Sequence, residues 1–224
     1  MNWMESYQQR IVTADEALQS IQSGDRVYIG GGCAVPESLL QALVNRASEL
    51  HDIQTVSILT MGKAPYVAPE MEGHLRHNAL FIGHNVRGAV NAGLADFTPI
   101  FLSEIADLFR NGPLTLDAAI LQVGPPDEHG FCSFGVEVGV TKPAAQAARI
   151  VIAEVNDRMP RVLGDSFIHV SKLDYIVPVS RPLIAFPQGE VGELSSRIAA
   201  HIAPLIDDGC TLQLGIGGIP DAVL

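Results

Sequence analysis

Two glycine-rich loops are the stretches best suited to chemistry in this sequence of 224 residues. The later loop reads GIGGIPDAV, and its leading residues are Gly215, Ile216, Gly217, Gly218 and Ile219. Glycines that lead into a helix expose main-chain N–H groups without intrahelical partners, beside the positive end of the helix dipole. Such a loop can hold a phosphate, a carboxylate or the oxyanion of an acyl-transfer step. A plain tight turn has the same composition, so both interpretations stay open. Pro220 breaks the dinucleotide fingerprint Gly-x-Gly-x-x-Gly.

The earlier loop, GGGCAVP, and a third loop, GHNVR, provide further candidates. The amide of Asn85 and the guanidinium of Arg87 could bind a substrate carboxylate. The alternative is an asparagine that caps a helix beside a surface arginine. The candidate residues of the substrate cleft are Gly31, Gly32, Asn85 and Arg87.

Other polar residues favour structural roles. Asp127 and His129 lie in the turn PPDEHG, where an isolated Asp-x-His pair is more typical of a turn than of an acid–base or metal site, and no metal is predicted. Cys33 has no His or Asn placed by the sequence to activate it, so a packed thiol is the preferred interpretation. Asn156, at the end of a predicted strand, could form a turn or contact a ligand.

The elements that must position these loops alternate between strand and helix. Apolar strands are predicted at 26–32, 55–61, 79–83, 118–124, 150–155, 174–180 and 211–215. Amphipathic helices are predicted at 36–50, 100–110 and 190–206, and Thr13 and Glu16 have the spacing of a capping box. This pattern predicts an α/β fold with an open, mostly parallel sheet and helices on both faces. In such sheets ligands gather outside the carboxyl ends of the strands, where the polar and glycine-rich loops occur.

The end of the sequence resembles its beginning. IQSGDRVYIGGGCAVPESLL at 21–40 matches IDDGCTLQLGIGGIPDAVL at 206–224 in its glycines and, with one residue skipped, in its proline and the following acidic residue. Chance similarity between two strand–loop–helix units is the alternative to duplication. We expect one domain at 1–190 and the truncated start of a similar domain at 191–224, within a longer chain that contains the duplicated fold.

The amino-acid composition and net charge limit the kinds of molecule that the protein could bind. Hydrophobic residues make up 47% and charged residues 17% of the chain, which is typical of a globular protein, and the formal net charge is −11. This acidic excess argues against nucleic-acid and anionic-membrane partners, which need a basic surface. The sequence has neither a signal-peptide pattern nor a long apolar run, and its three cysteines are widely spaced. These features predict a reducing, cytoplasmic location.

Several segments together resemble the acetyl-CoA hydrolase/transferase family, within the family I CoA-transferases. They are GGGCAVPESLL, NVRGAVNAGLADFTPIFLSEI, VGPPDEHGFCSFGVEV, IVIAEVNDRMPRVLGDSFIHVS and LQLGIGGIPDAVL, which cover nearly the whole chain in order. The resemblance is strongest to the members that use 4-hydroxybutyrate, acetate or butyrate.

The resemblance implies an acyl-CoA:carboxylate CoA-transferase that works by a ping-pong route through a glutamyl-CoA thioester. Coenzyme A and acyl-CoA would be substrates, and small carboxylic acids would be the other partners. The resemblance also implies that no cofactor is tightly bound and that the protein is a homo-oligomer. The family's CoA-contacting loop corresponds to 215–219, and the loop at 30–33 would line the acceptor side. The family's nucleophilic glutamate follows a His-Thr-Glu-Met-like motif, which we expect beyond Leu224, so no catalytic residue is assigned here and the fragment alone should be inactive.

Two other functions stay open at this stage. Acyl-CoA hydrolysis on the same scaffold differs from CoA transfer only in the group that attacks the glutamyl-CoA, which is water in hydrolysis and a carboxylate in transfer. A non-catalytic module that binds a phosphate or nucleotide would need only the glycine loops.

Overall fold

The computed structural model describes residues 3–186 and 191–224. The chain divides into two compact units, Met1–Ile184 and Ala185–Leu224, and each is described by itself. The predicted domain boundary at residue 190 and the predicted helix start at the same position lie outside the described residues.

The first unit is built on a parallel sheet of seven strands, with a separate two-stranded antiparallel sheet. The strands, in chain order, are β1 Arg26–Ile29, β2 Ile53–Ser57, β3 Leu75–Ala79, β4 Ala95–Phe97, β5 Ala118–Val123, β6 Phe131–Ser133, β7 Ile150–Asn156, β8 Phe167–His169 and β9 Tyr175–Val179. The large sheet has the order β4-β3-β2-β1-β5-β7-β9, and all its neighbours pair in parallel. The strand order changes direction between β1 and β5, which is where open α/β sheets bind ligands.

Helices cover both faces of this sheet, as the sequence predicted. The α-helices of the first unit are α1 Trp3–Gln9, α2 Ala14–Leu18, α3 Glu37–Asn45, α4 Arg87–Asn91, α5 Ile105–Arg110 and α6 Thr141–Ala147. Along β1 the alternation of side chains sends Tyr28 into a core with α5 and α6, and sends Val27 and Ile29 into a core with α2 and α3. The predicted capping box is confirmed, because Thr13 and Glu16 bond each other's main-chain N–H at the start of α2.

The strand predicted at 79–83 is displaced in the structure, where β3 spans Leu75–Ala79 and the apolar residues 80–83 follow its end. His77 and Asn78, two polar residues of β3, are both buried. The ring of His77 lies 3.0 Å from Thr55 Oγ1 and 3.3 Å from Ser57 Oγ on β2. These cross-strand hydrogen bonds replace the water that the imidazole loses on burial.

The second unit contains α7 Glu193–Ile202, the 3₁₀ turn Ala203–Leu205 and α8 Gly218–Val223. The strand predicted at 211–215 is wrong, since these residues are exposed and irregular. A strand needs a neighbour to satisfy its main-chain groups, and residues 191–224 contain no other strand that could pair with it. Across the described residues, the helices are all too short or too polar to cross a membrane.

Candidate functional site

The loops after β1 and β2 interlock at the carboxyl edge of the sheet. The N–H of Gly32 donates to the carbonyl of Leu59 at 2.6 Å, and the N–H of Met61 donates to the carbonyl of Gly32 at 3.1 Å. A Cβ at Gly31 would lie 2.8 Å from the same Leu59 carbonyl oxygen, and Gly32 has a φ of +55°. Glycine is therefore required here for the two loops to approach, and the N–H of Gly32 is already used within the protein.

Asn85 fastens the loop after β3 to the loop after β2. Its Nδ2 donates to the carbonyl of Thr60 at 3.0 Å and to that of Gly62 at 3.2 Å. It does not cap α4, whose N-cap is Val86 and whose start has no side-chain cap. Among the described residues, Asn85 Oδ1 is the one buried side-chain oxygen or nitrogen without a hydrogen-bond partner.

Three of the four predicted cleft residues thus converge on 59–62. Gly31 and Gly32 contact this loop from β1, and Asn85 contacts it from β3. Arg87 is exposed on the first turn of α4. Its main-chain N–H donates to Gly83 at 3.1 Å, and no hydrogen bond described within residues 3–186 joins its guanidinium to the other three.

A carboxyl group that sequence reasoning missed, Glu137, lies against the loop after β1. A Cβ at Gly32 would be 3.6 Å from Glu137 Oε2, and one at Gly139 would be 2.9 Å from Oε1. Thr141 Oγ1 donates to Oε1 at 3.4 Å and is 3.0 Å from the buried hydroxyl of Tyr28 on β1. Burial raises the pKa of the Glu137 carboxyl, while the bonds from Thr141 oppose the rise. The feature of the sequence that could have indicated Glu137 is its position as a single acidic residue within the apolar, glycine-rich segment FGVEVG.

A buried carboxylate satisfies the N-terminus of α3, the helix that follows the early glycine loop. Glu154 on β7 is fully buried, and its Oε1 accepts from the main-chain N–H of Leu39 at 2.8 Å. Its Oε2 forms an ion pair with Arg181, which also donates to Ser38 Oγ at 2.6 Å. Burial raises the pKa of the Glu154 carboxyl, and the charge of Arg181 opposes that rise. Because the protein supplies its own anion at this helix start, the early loop is unlike an open phosphate site.

The same polar network continues to the ends of β5 and β7. Gln122 Nε2 donates to the carbonyl of Val35 at 2.8 Å, which holds the chain between the glycine loop and α3. Asn156 Nδ2 donates to Gln122 Oε1 at 2.8 Å and to the carbonyl of Arg181 at 3.0 Å. Asn156 is fully buried, so it acts as a connector within the protein.

The turn PPDEHG is also organised by internal bonds. Asp127 Oδ1 accepts from the N–H groups of His129 at 2.9 Å and of Phe131 at 2.8 Å. Asp127 Oδ2 pairs with Arg161 at 2.7 Å. These bonds, led by the one from Phe131, lower the pKa of Asp127, as expected for a turn carboxylate. Burial raises the pKa of the Cys33 thiol, which opposes its use as a nucleophile.

The later glycine loop leads into α8 as predicted, although no strand precedes it. Gly215 and Ile216 are exposed, and Gly217 has a φ of +150° at the N-cap of α8. The first main-chain bond of α8 runs from the N–H of Asp221 to the carbonyl of Gly217 at 3.0 Å. Within residues 191–224, no main-chain acceptor is described for the N–H groups of Gly215, Ile216, Gly217, Gly218 and Ile219. Their use toward a ligand stays a prediction.

The strand order and the helices on both faces define the chain as a doubly wound α/β protein. Residues 1–186 match the acetyl-CoA hydrolase/transferase N-terminal domain, and the chain belongs to that family. Its strand order, with helices on both faces, agrees with solved structures of CoA-transferases.

Individual relatives support this assignment. The chain is 48% identical over 224 residues to a 4-hydroxybutyrate coenzyme A transferase from Clostridium kluyveri, covering 100% of this chain and 52% of that relative. A solved 4-hydroxybutyrate CoA-transferase from Porphyromonas gingivalis is 40% identical, with a TM-score of 0.84, over 99% of this chain and 52% of the other. RipA from Yersinia pestis is 29% identical, with a TM-score of 0.91, over 100% of this chain and 54% of the other. The chain therefore spans about half the length of the relatives it matches.

Proposed function

We propose that the whole protein is an acyl-CoA:carboxylate CoA-transferase of the 4-hydroxybutyrate, acetate or butyrate type. The observation that carries this proposal is the 48% identity to a 4-hydroxybutyrate coenzyme A transferase over all 224 residues. The match spans the whole chain, which includes the strand-end loops as well as the core.

The proposed reaction proceeds by two exchanges at one glutamate, which is expected beyond Leu224. The glutamate carboxylate attacks the carbonyl of the acyl-CoA thioester and expels CoA as a thiolate, which leaves a mixed anhydride. The thiolate then attacks the glutamyl carbonyl, releasing the donor acid and forming glutamyl-CoA. The acceptor carboxylate then attacks the carbonyl of glutamyl-CoA and expels the CoA thiolate, which forms a second mixed anhydride. The thiolate attacks the acceptor's carbonyl in this anhydride, which releases the new acyl-CoA and restores the glutamate.

In this proposal the residues of the chain bind and orient the substrates. The main-chain N–H groups at 215–219 would stabilise the negative charge that develops on the thioester oxygen. Gly31, Gly32 and Asn85 would shape the acceptor side of the cleft, and Arg87 would attract the acid. Coenzyme A and small carboxylic acids would be the partners of a cytoplasmic homo-oligomer without a tightly bound cofactor.

An isotope experiment on the full-length protein tests the function. Acetyl-CoA is incubated with labelled 4-hydroxybutyrate or butyrate, and both labelled acyl-CoA and free CoA are measured. Transfer of the label with little free CoA is the expected result. Release of CoA without transfer would identify an acyl-CoA hydrolase, and formation of neither labelled acyl-CoA nor free CoA would indicate a non-catalytic module. Residues 1–224 alone are expected to be inactive in the same assay.

A further inference from the structure

We infer that Glu137 determines which acceptor acid the site prefers, by accepting a hydrogen bond from a hydroxyl group remote from the acid's carboxylate. The inference rests on the CoA-transfer function proposed above and assigns its selectivity to one residue. The preferred class of substrate is then a short hydroxy acid, ahead of an unsubstituted acid or a dicarboxylic acid.

The position of Glu137 places it where a substrate would contact the first unit. Its carboxyl lies against Gly32, in the loop after β1, and β1 and β5 are the strands between which the order of the sheet reverses. Gly32 is bonded to 59–62, the segment that Asn85 fastens from the other side. Glu137 therefore borders the edge where three strand-end loops meet.

The two oxygens of this carboxyl have different surroundings. Oε1 accepts from Thr141 Oγ1 at 3.4 Å, and Thr141 is itself fixed by the hydroxyl of Tyr28. The main-chain N–H of Thr141 also interacts with this carboxyl. None of the side-chain hydrogen bonds described for residues 3–186 and 191–224 ends at Oε2, and Oε2 is not among the fully buried oxygen atoms that lack a partner. Oε2 can therefore accept a hydrogen bond from a ligand.

The electrostatic surroundings favour a neutral donor over a second anion. Within residues 3–186 and 191–224, no lysine or arginine is among the groups that shift the pKa of Glu137, and the leading influence is burial, which raises that pKa. A dicarboxylic acid would bring another negative charge to a half-buried carboxyl without a cation to compensate it. An unsubstituted alkyl chain would displace water from Oε2 without replacing its hydrogen bond. A hydroxyl group provides that bond.

The test compares acceptor acids in the full-length protein and its variants. Values of kcat/KM are measured with acetyl-CoA and, in turn, 4-hydroxybutyrate, butyrate and succinate, for wild type, Glu137→Leu, Glu137→Gln and the control Glu72→Gln. Glu72 is an exposed carboxyl that precedes β3, at the opposite edge of the sheet. Circular dichroism and thermal unfolding establish that each variant is folded.

We expect Glu137→Leu to lower the ratio of 4-hydroxybutyrate to butyrate at least tenfold, since a hydrogen bond to a charged group is worth that factor. Glu137→Gln should retain part of the preference and accept succinate better than wild type, because the charge is gone. Glu72→Gln should leave every ratio unchanged. Equal losses for all three acids would assign Glu137 a purely structural role and overturn the inference alone. Absence of CoA transfer in wild type would overturn the proposed function and this inference with it.

Discussion

Removing the cation beside the buried carboxylate of Glu154 should destabilise the first unit in a strongly pH-dependent manner. In Arg181→Met, Glu154 keeps the bond from Leu39 but loses its ion pair, and its side chain has no exposure to water. An unpaired buried charge costs about 3–5 kcal/mol, although a carboxyl can avoid that cost by taking up a proton. The cost of protonating Glu154 therefore sets the upper limit of the decrease in unfolding free energy.

This upper limit follows from the difference between the pH and the ordinary pKa of the carboxyl. Burial already raises the pKa of Glu154 above its usual 4.5, and without Arg181 the rise is larger. A carboxyl with a raised pKa in the folded state stabilises the fold below its unfolded pKa and loses that contribution as the pH increases. Keeping Glu154 protonated at pH 7 costs about 1.4 kcal/mol for each of about 2.5 pH units above its ordinary pKa, or about 3.5 kcal/mol. At pH 5.5, about one unit above the ordinary pKa, the same calculation gives about 1.4 kcal/mol.

Urea unfolding of the full-length protein, followed by circular dichroism at pH 7 and pH 5.5, measures the two losses. The matched control is Arg158→Met, because Arg158 is largely exposed and pairs with Asp157 only at 3.8 Å, so a change below about 0.5 kcal/mol is expected. The double variant Glu154→Leu/Arg181→Met should recover part of the loss at pH 7. A loss in Arg181→Met that is the same at both pH values would refute the reasoning, because it would show that Glu154 does not titrate in response.

Three further predictions concern the sheet edge and its core. Burial lowers the pKa of His77 to about 4. About 3 kcal/mol of unfolding free energy that is present above pH 6.5 should therefore be lost as the pH falls to 4. Urea unfolding should show a smaller loss over this pH range in His77→Gln than in wild type. Gly31→Ala places a Cβ 2.8 Å from a main-chain oxygen and should lower the unfolding free energy by about 1–3 kcal/mol, whereas Gly88→Ala, with open space, should not destabilise in the same assay. Asn85→Ala should raise the KM for the acceptor acid several-fold and speed amide hydrogen exchange at 59–62, and unchanged exchange there would contradict the fastening role.

The sequence by itself determined the class of fold, because its pattern reports burial directly. The apolar stretches that became β5 and β7 are buried on both faces of a parallel sheet, and a strand of this kind reads as a continuous apolar run. The capping box at the start of α2 is a local pattern whose two hydrogen bonds need no distant partner. The glycine loops could be located for the same reason, since a glycine that precedes a helix is visible in the sequence.

Only the tertiary structure decided which polar residues are partnered within the protein and which remain accessible. The sequence left open whether Asn156 forms a turn or contacts a ligand, and the buried role of His77 becomes clear only from its partners on a neighbouring strand. Glu154 and Arg181 are 27 positions apart, and Glu137 meets Gly32 across more than a hundred positions, so no local pattern could have joined them. The strand predicted at 211–215 failed because strand formation depends on a neighbour, which the sequence of the segment itself does not contain.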